Sequence, residues 1–299
     1  MAAKDRPKIA PDRATHIEEL ASAVLDGRAT SSPIDLHHIL TDEGITFSYG
    51  DYGDAFDGLI EWKNHRFHIY SNTARGNLAG SPRARFTVGH ELGHYFIDEH
   101  RKLLKVGKIS LPLSGQEATT ADLIIEQEAN LFAACLLTPR TEFIRAAKQA
   151  VEGLSGILAL ATQFHVSALC AAIRAVSLET ESFVLSFWTH EGLRWKWISR
   201  TWFAAGFRKM KEDFGQLGID FAIARALADS PDGASVHRNG SVAAFWFHGH
   251  TMGSHEDLDI FEEAVRLGQF GVVSILRPMN GNARSKLQEL ALERIGGDF

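Results

Sequence analysis

At 299 residues the chain is too long for one typical hydrophobic core and reads as two domains with room for a small connector. Its 45% hydrophobic and 23% charged residues exclude disorder, and a net charge of -6 excludes a global basic field drawing it to nucleic acid or anionic lipid. The leader "MAAKDRPKIAPDR" lacks the apolar stretch of a signal peptide, and no run reaches the ~18 uncharged apolar residues of a membrane span, so a cytoplasmic protein with no membrane partner is expected.

In chain order, "ATHIEELASAVLDG" (14–27) carries Ile17, Leu20, Ala21, Val24 and Leu25 at helical spacing. "SSPIDLHHILTDEG" (31–44) reads as a short helix opened by a cap-like Ser32 before Pro33 and closed by Gly44. "ITFSYG", "FDGLIEW" and "RFHIYSN" read as strands, the last two joined by the turn-prone "KNH". "SPRARFTVGHELGHYFIDEH" starts at Ser81-Pro82 and continues as a helix. A loop over 106–119 leads to a second helix, "ADLIIEQEANLFAACLL", stopped by Thr138-Pro139. Residues 141–177 are helical with breaks near "EGLSG" and "FHVS". From 181 the pattern alternates: "ESFVLSFWTH", "LRWKWISRTW", a helical "DFAIARALADS", "SVAAFWFHGH", a helical "LDIFEEAVRLGQ" and "GVVSILRP", an α+β segment of its own. Cys135 and Cys170 fall in apolar helical runs and are expected as buried free thiols.

The chemistry concentrates in "RFTVGHELGHYF" (85–96). On a helix, side chains at i and i+4 lie on one face, so His90 and His94 can offer two imidazole nitrogens to one ion. Glu91 then sits beside the water such an ion carries, the H-E-x-x-H pattern of zinc metallopeptidases. Gly89 and Gly93 each cost about 1 kcal/mol against alanine in a helix interior, so this helix needs close approach of another element or of a substrate backbone. A third ligand is required, and His100, six residues after His94, is turned away from it. Advancing about 100° per residue, the second helix gathers Ile125, Ala129, Phe132, Ala133 and Leu136 on one face. Glu126 borders that face and Glu128 falls on the far side. Glu126 is the chosen ligand, with Glu128 the alternative. Asn130, one turn after Glu126, is placed to hydrogen-bond a ligand histidine and fix its ring, with Asp122 a weaker candidate for that role.

"RFTVGHELGHYF" followed by "EQEANLFAACLLTP" resembles the ImmA/IrrE family of metallopeptidases over roughly residues 14–140. The resemblance implies a zincin-like, gluzincin-type domain with His90, His94 and Glu126 as zinc ligands (manganese the alternative) and Glu91 as catalytic acid/base. It implies site-specific cleavage of a helix-turn-helix transcriptional repressor in a stress or mobile-element response. In the IrrE branch a helix-turn-helix-like segment and a GAF-like sensor domain follow. Here "ALATQFHVSALCAAIRAV" (159–176) is similar to the former, and 181–299 takes the place of the latter. The expected organisation is α+β: a metallopeptidase domain over 1–140, a helical connector over 141–180 and an α+β domain over 181–299.

Other features carry weaker functional readings. The second helix of the connector has one basic residue, Arg174, too little phosphate-neutralising charge for a solitary DNA binder. "LRWKWISRTWFAAGFRKMK" (193–211) mixes cations with three tryptophans, which suits single-stranded nucleic acid, but the alternation around Trp195 and Trp197 reads first as a half-buried strand. "FHGHTMGSHEDLD" groups His248, His250, His255 and Asp257 and is read as a strand end and helix cap before a second metal site. The rival to an enzyme is a DNA-binding or regulatory interaction protein whose metal site is structural or silent.

Overall fold

The computed structural model describes residues 9–28, 32–107, 120–212, 221–230, 235–250 and 257–296. The class is α+β, arranged as two compact units. One comprises the chain up to Phe143 with Ala161–Ser167, the other Ile144–Leu160 and Ala168 onward, so the segment 141–180 is shared between them. Among the described residues no single helix is long and apolar enough to cross a membrane.

In the first unit, α1 (Pro11–Leu25) opens on a proline and buries Ile17, Ala21, Val24 and Leu25. The next helix, α2 (Leu36–Asp42), is capped by Asp35 and not by Ser32. The Asp35 carboxylate accepts from the backbone N–H of both His37 and His38, at 2.9 and 3.2 Å, satisfying two free donors of the first turn at once. Strands β1 (Thr46–Gly50), β2 (Gly58–Lys63) and β3 (Arg66–Asn72) form a sheet of order β1-β3-β2, with β1 parallel and β2 antiparallel to β3. The β2–β3 hairpin turns on Asn64 and His65, both left-handed at φ 50° and 60°, the two-residue turn that matches strand twist. One sheet face buries Ile60, Phe67 and Ile69.

Helix α3 (Pro82–Phe96) is capped by Ser81, whose hydroxyl accepts from Ala84 N–H at 3.1 Å. It stops earlier than the pattern suggested. Ile97 turns extended and buries its side chain, and α4 (Asp98–Lys105) starts afresh with Asp98 and Glu99 in its first turn, where a helix favours negative charge. Helix α5 (Thr120–Leu137) buries Ala129, Phe132, Ala133 and Leu136 and packs along α3. The two glycines of α3 explain how closely. A Cβ on Gly93 would lie 3.0 Å from Ala129 Cα and 3.1 Å from its carbonyl oxygen, and one on Gly89 3.4 Å from Ala133 Cβ. The element they admit is α5.

Helix α6 (Arg140–Ala147) follows, then α7 (Leu154–Phe164) and α8 (Ala168–Ser177). In the second unit β4 (Val184–Thr189), β5 (Gly192–Ile198), β6 (His237–Val242), β7 (Asp259–Leu267) and β8 (Gly271–Pro278) make an antiparallel sheet of order β5-β4-β8-β7-β6. With α9 (Arg200–Ala204), α10 (Ala222–Ala228), α11 (Ala243–Trp246) and α12 (Gly281–Gly296) it encloses a core built on Trp188, Trp202, Phe207, Trp246 and Phe247. Two expectations fail here. The segment read as the helix "LDIFEEAVRLGQ" is strand β7, hydrogen-bonded on both sides by β6 and β8. Glu262 and Glu263 are fully buried in it; pairing in the sheet overrides local preference. "SVAAFWFHGH", read as a strand, turns into α11 after Val242 and buries Trp246. Helix α12, with Leu287, Leu290 and Ala291 inside, has no counterpart among the expected elements.

Candidate metal centre

His90 and His94 lie one turn apart on α3 with their Nε2 atoms 3.0 Å apart. Across the interhelical seam, Glu126 of α5 places one oxygen 3.2 Å from His90 Nε2 and the other 3.6 Å from His94 Nε2. A tetrahedral zinc ion at about 2.0–2.2 Å from each ligand holds its ligand atoms roughly 3.3 Å apart, and the three observed separations straddle that distance. Among the described residues this is the one group of three with ligand atoms converging in this way. Glu126 Oε1 is buried without a hydrogen-bond partner, and two imidazole nitrogens face each other, so the donors have capacity that the protein leaves unspent. The set fits a divalent cation that accepts nitrogen and carboxylate oxygen.

Glu128, the alternative ligand, is engaged elsewhere. Its carboxylate accepts from Arg13 at 2.9 and 2.7 Å and lies 3.1 Å from His100 Nε2. Asn130 Oδ1 sits 3.0 Å from His90 Nδ1, the position expected for a group that fixes the ring of a ligand. Asp122 is half-buried on α5 and is not one of the converging three.

Glu91 is 3% exposed. The Ile60 backbone N–H of β2 hydrogen-bonds its carboxylate, and its Oε2 has no hydrogen-bond partner. Burial pushes the carboxyl up to about 7; the neighbouring Glu126 adds to the shift, while His90 and the Ile60 N–H oppose it. A carboxyl poised there can both take and return a proton near neutral pH. Burial also drives His94 well below its ordinary value, with His90 and His100 pushing the same way, so its ring is neutral and able to ligate. For His90, burial again pushes down but is outweighed by Glu126, Glu91 and Asn130, and the net direction is upward.

A cavity of about 250 Å³ opens on these groups, lined by Asp57, Gly58, Thr87, His90, Glu91 and Glu126 among others. Sequence reasoning did not find Gly58, because its role is tertiary: a Cβ there would lie 2.7 Å from Glu91 Oε1 and 2.4 Å from Thr87 Cγ2. Thr87 was within reach of helical spacing, one turn before Glu91. Its hydroxyl donates to Asn77, whose amide holds the Asp57 carbonyl at the cavity wall. Tyr95, next to the second histidine, serves packing: its hydroxyl donates to Glu43 and its ring meets Phe67 edge-on.

Residues 77–176 match the model of the peptidase M78 family, described as the IrrE N-terminal-like domain. This segment of the chain is thus similar to the peptidase domain of the ImmA/IrrE family. The match covers α3 and α5 with the converging ligands, and extends beyond residue 140 through α6, α7 and nearly all of α8. A family of this peptidase type is in keeping with a metal-dependent site. Among solved structures, a Mycobacterium tuberculosis transcriptional regulator is similar with a TM-score of 0.56 and 15% identity, over 93% of this chain and 79% of that one. At that identity the likeness is one of fold. No curated protein matches the chain in sequence.

Among the described residues the other sequence candidates do not converge. Within "FHGHTMGSHEDLD", residues 251–256, including His255, lie outside the described residues. His250 stacks on Phe207, and Asp257 accepts from Ala244 N–H at the start of α11 and from its neighbour Leu258, a capping role. Both cysteines are buried and outside any disulfide.

Proposed function

We propose that the first unit is a zinc-dependent endopeptidase. The observation that carries this reading is the convergence of His90, His94 and Glu126 beside a buried, proton-poised Glu91. A cation held there supplies Lewis acidity to a water molecule and to the scissile carbonyl. Glu91 takes the proton of the attacking water and returns it to the leaving amine, held for both tasks by the Ile60 N–H and the wall at Gly58. Zinc is favoured by the two-imidazole, one-carboxylate donor set, with manganese the alternative.

The substrate reading follows the family resemblance: a helix-turn-helix repressor, cut at one site in a stress or mobile-element response, by a cytoplasmic enzyme. For the second unit we propose a GAF-like sensor role. It contains a cavity of about 480 Å³ lined by Glu152, Glu181, Ser199 and Arg284 among others, within the usual size range of small-molecule sites. Direct nucleic-acid binding has little support. Arg174 is buried, Trp202 is buried, Trp195 stacks on Phe187, and Lys196 pairs with Glu212; Trp197 alone of the three tryptophans is exposed. The deciding experiment incubates the full chain with a helix-turn-helix repressor encoded beside it. A single cut that disappears with chelator and in Glu91→Gln, while that variant keeps its zinc, is the expected result. Undiminished cleavage by Glu91→Gln overturns the mechanism, and salt-sensitive, sequence-selective DNA binding without cleavage favours the regulatory reading.

A further inference from the structure

His100 is not a ligand, yet it lies directly behind one. On α4 it is 1% exposed, its ring centroid 5.2 Å from that of His94 with the planes inclined by 43°. Its Nε2 faces Glu128 Oε2 at 3.1 Å, and Glu128 is held by Arg13 through two hydrogen bonds of 2.9 and 2.7 Å. An ionised carboxylate can only accept, so the proton of this contact belongs to His100 Nε2. In a neutral ring the other nitrogen, Nδ1, is then a bare lone pair. That atom is buried and has no hydrogen-bond partner.

His94 is its complement. A histidine that ligates through Nε2 presents a lone pair there and carries its proton on Nδ1. His94 Nδ1 is also buried with no hydrogen-bond partner. A ring with a buried donor lacking an acceptor therefore lies against a ring with a buried acceptor lacking a donor. Unpaired buried polar atoms are costly and uncommon, and here two occur on neighbouring rings with opposite needs.

We propose that His100, anchored by Glu128 and Arg13, is the positioning residue of His94: it accepts the His94 Nδ1–H and so fixes the tautomer and orientation in which His94 presents Nε2. A tilt of the His100 ring or one bridging water closes the bond. The relay runs from His94 through His100 and Glu128 to Arg13 and gives the second histidine what Asn130 gives the first. It rests on the reading of His90, His94 and Glu126 as a metal site.

The test is zinc affinity of the full-length protein, measured by competition with a chromophoric chelator. His100→Phe, which fills the space without an acceptor, weakens zinc by about 10–100-fold. His100→Gln, whose amide oxygen can accept from His94, recovers part of that loss. The cobalt-substituted protein shifts its ligand-field spectrum in His100→Phe. Zinc affinity equal to wild type in His100→Phe overturns the relay, and so does an equal loss in both variants, which would mark a packing defect. Should His100→Phe not fold, Glu128→Leu carries the test: it removes the acceptor that sets the His100 tautomer, and unchanged affinity there overturns the proposal. A wild-type protein that binds no zinc, or His94→Ala binding as tightly as wild type, defeats the metal-site reading itself; unchanged His100 variants in a zinc-binding wild type defeat only the relay.

Discussion

Each unit sets a pair of carboxylates among its packed elements, buried Glu262 and Glu263 in one and buried Glu91 with half-buried Glu126 in the other, and the two pairs are treated in opposite ways. On β7, Glu262 accepts from the Ala222 and Ile223 N–H groups at the start of α10, at 2.9 and 2.8 Å. Its neighbour Glu263 accepts from the Leu154 N–H at 2.6 Å and from Arg238 and Arg277 at 2.8 and 2.9 Å. Neither glutamate has a buried oxygen without a hydrogen bond. At the metal centre, Glu91 Oε2, Glu126 Oε1 and His94 Nδ1 are all buried without one. Satisfied buried charge fixes a fold, whereas buried donors with bonding capacity to spare mark where a ligand is to be taken up.

Removing one acid from each unit breaks that comparison most forcefully. Glu126→Ala is expected to weaken zinc by more than the ~100-fold that changes behind a ligand cost, while urea unfolding of the metal-free protein shifts by less than about 1 kcal/mol. Glu263→Ala should do the reverse. It strands Arg277, which is 8% exposed, and loses about 3–5 kcal/mol of stability with zinc affinity unchanged. If both variants lose stability and zinc together, the division between spent and unspent carboxylates is wrong.

Proton linkage sharpens the same contrast. Burial raises Glu262 from near 4.5 to about 7, against the Ile223 and Ala222 N–H groups and the charge of Arg225. Because the folded value lies above the unfolded one, the folded state holds the extra proton between about 4.5 and about 7, and stability falls as pH rises through that window. The loss is on the order of 3 kcal/mol. Glu262→Gln, followed by urea unfolding across the window, should remove its share of the slope and leave that of Glu91, which burial raises over the same range; an unchanged slope would place the titration elsewhere.

The seam that assembles the metal centre allows a finer test. Gly93→Ala would press a Cβ against Ala129 backbone atoms at 3.0 and 3.1 Å that have no freedom to move. It should cost about 1–3 kcal/mol of stability and weaken zinc by splaying α3 from α5. Gly89→Ala meets Ala133 Cβ at an ordinary 3.4 Å, so the gain in helix propensity, up to about 1 kcal/mol, should survive. Thermal melts of the two variants that move in the same direction would refute this account of the glycines.

The parts of the site that were legible in the sequence are those whose logic is local. His90, His94, Glu126 and Asn130 are fixed by helical spacing and ligand chemistry, and the two helices that carry them obey the 3.6-residue period. What stayed hidden depends on partners distant in the chain. Gly58 matters because β2 passes against Glu91, and Glu128 is engaged by Arg13, 115 residues away. Strand β7 misled for the same reason: nothing near Glu262 and Glu263 in sequence announces the helix ends and arginines that let them be buried. Asp35 and not Ser32 caps α2 because the helix starts at Leu36, which puts Asp35 at the N-cap and Ser32 three residues before it.

The smallest expected effect concerns Asn130, and it separates orientation from ligation. Its Oδ1 lies 3.0 Å from His90 Nδ1, so it accepts the proton that His90 carries there when Nε2 is free to ligate. Asn130→Ala removes that acceptor without touching the converging atoms, and zinc affinity should fall about 10-fold with the fold intact. Asn130→Asp keeps the acceptor and adds negative charge near the ligands, so it should bind zinc at least as tightly as wild type. Competition titrations in which the alanine variant matches wild type would mean that His90 is held by its packing against α5 alone. A loss in the aspartate variant as large as that in alanine would mean that Asn130 is needed for its amide protons, which the geometry directs away from His90 Nδ1 if Oδ1 is the atom facing it.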